Sequence, residues 1–166
     1  AGAAPIYRLV LTGAENAAYT TYTGGTTATP GTPPRPGGGQ IGDRQFNFTL
    51  IASRGSDTTI RYLTSMRVRG NSSRNYTIKP LRISLPTDHR WDGVSDFIIN
   101  PRGAPVQLLA HRIQRAAGLV TADATPIEVR RNGIKYTVTT SATADHGQLV
   151  RIEEINGDYL DHHFPL

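Results

Sequence analysis

Apolar and polar residues alternate along much of this chain with a period of two, the spacing of a half-buried β-strand. The pattern is cleanest over Gln45–Ala52, where Phe46, Phe48 and Leu50 fall on one side and Gln45, Asn47 and Thr49 on the other. It recurs over Ile60–Arg69, with Met66 and Val68 expected inward and Arg67 and Arg69 outward. A third run, Ile78–Leu85, alternates Leu81, Ile83 and Leu85 with Arg82 and Ser84. Pro80 has no N–H to give a ladder, so this strand is expected at a sheet edge, or with Pro80 at its start. A short apolar run, Pro5–Leu11, supplies an earlier strand.

The period changes at Pro105–Ala117, where Val106, Leu109, Ile113 and Ala116 recur at helical spacing. Pro105 suits a first turn and Gly118 a C-terminal stop, while Arg112 and Arg115 complement the helix dipole. The aliphatic residues of this helix are expected to pack on a sheet. After it, Ile127 and Val129 lead into Asn132-Gly133, and Ile134, Tyr136 and Val138 lead away. Asn-Gly between alternating runs predicts a hairpin, because both central positions need positive φ. The stretch Tyr19–Gln40 differs in kind. It is rich in Thr, Gly and Pro and contains no Leu, Ile, Val or Phe, so it predicts a long loop. The fold class predicted is α+β: one domain over residues 1–166, with a mainly antiparallel sheet and one principal helix.

Charge narrows the range of partners. The net charge is +5, carried almost wholly by arginine, since Lys79 and Lys135 are the only lysines. The arginines are spread along the chain and accompany no nucleic-acid reading module, which argues against a nucleic-acid partner. No apolar run reaches the roughly 20 residues of a spanning helix, so any membrane contact is expected to be peripheral. With no cysteine, disulfides, thiolate metal sites and cysteine nucleophiles are excluded. The chain opens Ala-Gly-Ala-Ala rather than with Met, the small-residue context left by a signal-peptide cut, and an exported, extracytoplasmic protein is expected.

Other chemistry is thin. Asp145, His146, Asp158, Asp161, His162 and His163 are nitrogen and oxygen donors, but adjacent histidines on a strand diverge. The tail therefore reads as a solvated terminus and no metal site is assigned. Glu153 to Asp158 lacks the donor spacing of a calcium loop. No Gly-x-Ser-x-Gly elbow is present to support a hydrolytic triad. Trp91-Asp92-Gly93 reads as a turn with a packed indole.

Three ordered segments between Ile60 and Val138 resemble the spore-coat CotH family of atypical kinases. They are Met66-Arg67-Val68-Arg69-Gly70-Asn71-Ser72-Ser73-Arg74, Lys79-Pro80-Leu81-Arg82-Ile83-Ser84-Leu85, and the run from Phe97-Ile98-Ile99-Asn100 through the helix to Asn132-Gly133. The resemblance implies the N-lobe of an ATP-dependent protein Ser/Thr kinase acting outside the cytoplasm. It implies Lys79, with Arg69, Gly70, Ser72 and Ser73, as the nucleotide-binding residues. The departures from the family pattern point the other way. Thr139 to Asp145 stands where the family places a strand ending in a Glu-Gln-Ile-Asp-like run. The chain also ends before the segment that supplies the family's catalytic and metal-binding aspartates.

The chain therefore reads as a non-catalytic, cofactor-free binding domain. It is expected to be an extrinsic subunit of a larger extracytoplasmic assembly, touching partner subunits through the Thr/Pro/Gly loop and through Arg67, Arg69, Arg74 and Arg82. The alternative is the N-terminal fragment of an active atypical kinase.

Overall fold

A computed structural model describes residues 4–22, 44–70, 73, 76–137 and 149–165. Eight strands are present: β1 (Ile6–Val10), β2 (Gln45–Arg54), β3 (Asp57–Val68), β4 (Leu81–Ser84), β5 (Asp96–Asn100), β6 (Ala124–Arg131), β7 (Ile134–Lys135) and β8 (Leu149–Glu153). Three helices accompany them: α1 (Gly13–Thr21), α2 (Ala104–Ala116) and α3 (Gly157–His163).

The strands pair in the order β1-β2-β3-β4-β5-β8-β6, with β7 added on β6, and β1 also pairs with β6. That last pairing is parallel, from Ile6 opposite Glu128 to Leu9 opposite Arg131, while every other ladder is antiparallel. The sheet thus closes on itself as a seven-strand mixed barrel. The α+β expectation, an open N-lobe-like sheet with one helix on it, is corrected. The reason is physical. An open sheet leaves two rows of unpaired backbone groups, and here β1 and β6 satisfy each other's. Period-two patterns identify strands but not which strands meet.

The alternation read from the sequence fills the barrel. Phe46, Phe48 and Leu50 of β2, Met66 and Val68 of β3, and Leu81 and Ile83 of β4 are all buried, joined by Tyr7, Leu9, Phe97, Ile99 and Val129 from the other walls. Each such side chain contributes about 1.5–3 kcal/mol on burial. Pro80 stands just before β4, which is a central strand flanked by β3 and β5, so its missing N–H costs no ladder bond. Its carbonyl accepts from the Arg69 N–H at 3.0 Å. Asn132 and Gly133 form the hairpin tip with φ of 47° and 84°. The Asn132 side chain also accepts from the Leu11 N–H at 2.7 Å and donates to the Leu11 carbonyl at 3.1 Å, which ties the tip to the end of β1.

Both ends of the barrel are stopped. At one end α1 lays Tyr19 edge-on to Phe46, with the Arg131 guanidinium 4.7 Å from the Tyr19 ring and the Tyr136 hydroxyl bonded to that of Tyr19. At the other end Trp91 donates its indole N–H to the Tyr7 hydroxyl at 2.7 Å, beneath the Arg61 guanidinium. Asp92, in the same turn, bridges Arg54 and the buried Arg151, each at 2.7 Å. Tyr19 thus belongs to a helix rather than to the expected Tyr19–Gln40 loop; residues 23–40 of that stretch lie outside the described residues.

Candidate functional site

The helix read from Pro105 to Ala117 is present as α2, and Gly118 follows it with φ 77°, the left-handed geometry of a helix stop. Its orientation is the reverse of the one expected. Val106, Leu109 and Ile113 are 71%, 58% and 59% exposed, and Leu119 and Val120 just beyond the helix are exposed as well. Toward the barrel α2 turns the buried Ala104 and the half-buried Gln107, Leu108 and His111, while polar groups tie its flank to the segment that follows. His111 Nδ1 lies 2.8 Å from the Thr121 hydroxyl, that hydroxyl donates to Gln114 at 3.2 Å, and Arg115 pairs with Asp123. Ala104 is the buried residue of the first turn. These bonds to Thr121 and Asp123, just before β6, hold the helix with the Val106-Leu109-Ile113 stripe facing outward. No acidic residue occurs from Phe97 to Ala122, while Arg102, Arg112 and Arg115 lie within that span.

The residues implied as nucleotide-binding are brought together only in part. Arg69, Gly70 and Ser73 line a shallow cleft of about 300 Å³ with Tyr76, Asn100, Arg102 and Gln107, at the start of α2. The Arg102 guanidinium sits over Tyr76, its central carbon 3.6 Å from the ring centre. Lys79 is not among the lining residues. Its backbone exchanges hydrogen bonds with the Tyr136 hydroxyl, and its ammonium lies 3.5 Å from the Tyr76 carbonyl. Partial burial, with Arg131 nearby, pushes that ammonium below its ordinary pKa. Ser72 and Arg74 lie outside the described residues. Of the arginines expected to meet partners, Arg82 is held within the chain by Asp96 and Glu154, and Arg67 stands opposite it across the β3–β4 ladder.

Thr139 to Asp145 cannot be compared with the strand that the resemblance puts there. Residues 138–148 lie outside the described residues, and the next described strand is β8, which ends at Glu153. A glutamate therefore does close an apolar strand after the hairpin. Its partners are not Lys79. The Glu153 carboxylate accepts the Asp123 N–H at 3.0 Å and lies 3.2 Å from His162 Nδ1 and 2.7 Å from His163 Nε2. Burial alone would raise this carboxyl's pKa; the Asp123 N–H and the two imidazoles outweigh burial and hold it below the usual carboxylate range.

The two histidines converge because their segment is helical, not extended. Asn156 caps α3 by accepting from the Tyr159 N–H at 3.2 Å, and Asp158 accepts from both the Ser95 N–H and its hydroxyl. Tyr159 is buried against His163 with ring centres 4.5 Å apart. Glu153, His162 and His163 are the one group of this kind among the described residues, with donor atoms all within 4.8 Å of one another. Sequence reasoning separated the tail histidines from Glu153; the Asn156 cap followed by Asp158 was the available signal that a helix starts there.

A further apolar surface comes from a bulge. Phe48 opposes Thr64 and Leu50 opposes Arg61, so Tyr62 and Leu63 together face Thr49. Leu63 has φ 55° and is 92% exposed. It borders a hollow of about 470 Å³ with Tyr62, Val10 and Phe48. No helix among the described residues is long and apolar enough to cross a membrane. No protein-family model matches the chain, and no curated protein matches it.

Proposed function

We propose that this chain is a non-catalytic docking domain, an extrinsic subunit of an extracytoplasmic assembly, which seats the outward face of α2 in an apolar groove with an acidic rim on a partner protein. The observation that carries this reading is the inversion of α2. Val106, Leu109 and Ile113 are exposed at the i, i+3, i+7 spacing by which a helix enters a groove. Burying them against a partner would recover about 1.5–3 kcal/mol for each side chain fully covered. The basic span around the helix favours an acidic rim, and it disfavours a second copy of this chain, since a two-fold α2–α2 contact would oppose like charges. The stripe carries no aromatic residue and only three large aliphatics, a weak anchor for a lipid surface. That Lys79 does not line the cleft of Arg69, Gly70 and Ser73 supports a chain without phosphoryl transfer.

A photo-crosslinking residue in place of Leu109, used in the native source, tests the assignment. Adducts to a protein whose contacted surface is apolar and acid-rimmed are expected. A Leu109→Asp/Ile113→Asp double variant should lose them while keeping its circular dichroism. Adducts to lipid, co-sedimentation with anionic vesicles, or a dimer abolished by the double variant would each replace this partner with another.

A further inference from the structure

We propose that Glu153, His162 and His163 form a binding site for a divalent transition metal of the zinc class, closed by α3. Glu153 is the starting point. Its side chain is 1% exposed, and among the described residues its ion-pair partners are two imidazoles. Several other half-buried acids meet arginine instead: Asp92 meets Arg54 and Arg151, Asp96 and Glu154 meet Arg82, Glu128 meets Arg130, and Asp158 meets Arg90. A carboxylate taken out of water needs counter-charge or hydrogen-bond donors beside it. A metal dication would supply that charge and take a lone pair from one nitrogen of each imidazole.

The donor set suits the ion. Two imidazole nitrogens and one carboxylate are a known zinc ligand set, bound at about 2.0–2.2 Å, with a further position left for water. Around a tetrahedral ion of that radius, donor atoms stand about 3.3 Å apart. Here one Glu153 oxygen is 3.2 Å from His162 Nδ1 and the other 2.7 Å from His163 Nε2, and one donor atom from each of the three residues lies within 4.8 Å of the other two. The supports are also in place. The Asp123 N–H orients the carboxylate, the Tyr159 ring abuts that of His163, and Ser95 and Arg90 hold Asp158 at the start of α3. The half-exposed His162 leaves the remaining position open to solvent. Such an ion would fasten α3 to β8.

The experiment uses tag-free, chelator-treated protein. Zinc chloride should raise its thermal midpoint in a concentration-dependent way, and cobalt(II) should give the intense visible bands of a tetrahedral site. His162→Asn, at an exposed position that leaves the fold intact, should weaken zinc binding at least about tenfold, since even groups behind a ligand cost that much. Glu153→Gln should abolish the cobalt bands. A midpoint indifferent to zinc, or zinc affinity unchanged in His162→Asn, overturns the proposal and leaves a purely hydrogen-bonded cluster.

Discussion

The helices α1 and α2 invert the usual relation between sequence and packing. The α1 segment, Gly-Ala-Glu-Asn-Ala-Ala-Tyr-Thr-Thr, has almost no apolar periodicity, yet it is a structural element. Thr12 caps it by accepting from the Glu15 N–H, and its single aromatic, Tyr19, stops one end of the barrel. The α2 segment has a clear apolar stripe and exposes it. One buried ring with a bonded hydroxyl fixes α1 in place, whereas α2 is held by His111, Gln114 and Arg115 on its polar side. Amphipathicity therefore reports that a helix has two faces, and only the surrounding structure decides which of them is inside.

Two substitutions test that contrast, and a third, between them in size, tests the opposite end of the barrel. The largest effect is expected at Tyr19→Ala, which removes a buried ring from beneath Arg131 and leaves the Tyr136 hydroxyl with one partner fewer. A loss of about 3–5 kcal/mol in chemical denaturation is expected, as for other buried aromatics. A loss under about 1 kcal/mol would mean that α1 is as loosely attached as its composition suggests.

The opposite end of the barrel provides a lid held by charge. Burial would raise the Asp92 carboxyl, but the hydrogen bond from Arg54 and the charge of Arg151 outweigh it, and its pKa lies below the ordinary value. Its contribution is thus complete at neutral pH and is lost as pH falls below about 4, through the folded-state value. Asp92→Asn should cost about 1.5–3 kcal/mol at pH 7 by weakening charged hydrogen bonds, and the gap between variant and parent should narrow in acid. Denaturation midpoints followed from pH 7 to pH 3 would show this; a constant gap would mean that Asp92 acts through turn geometry alone.

The smallest effect is expected at Leu109→Ala, within about 0.5 kcal/mol in the isolated protein, because the side chain contacts water and alanine is a good helix former. A loss above 2 kcal/mol would place Leu109 in a packed interface and erase the difference between the helices.

Much of the barrel wall was legible. The alternation at Phe46-Phe48-Leu50 and at Met66-Val68, the Asn132-Gly133 tip and the limits of α2 are local signals, and local chemistry reproduces them. Closure was not legible, because pairing Ile6–Leu9 with Glu128–Arg131 depends on two strands far apart in the chain whose patterns carry no address. The direction in which α2 faces depends on Thr121 and Asp123, which lie outside the periodic window. The Glu153–His162–His163 cluster was missed because the tail was read as extended, and in extended geometry neighbouring histidines diverge. Lys79 and the Arg69–Ser73 turn are close in sequence, yet they do not line the same cleft.

The parallel seam between β1 and β6 has a consequence for how this chain is made. During synthesis β1 to β5 emerge first, as an antiparallel meander with β1 at one margin and β5 at the other. Neither margin is sealed until β6 and β8 arrive, with β8 inserted between β5 and β6. The bond between Leu11 and Asn132 spans 121 residues, and contacts of such separation are slow to form. For that interval the nascent chain presents two open strand margins and a half-covered apolar face, the features that recruit other unfinished chains. The vulnerable species is the incomplete ring on the ribosome or in transit rather than the finished barrel, and holdase chaperones would be expected to bind this chain before Leu149 is made and to release it afterwards.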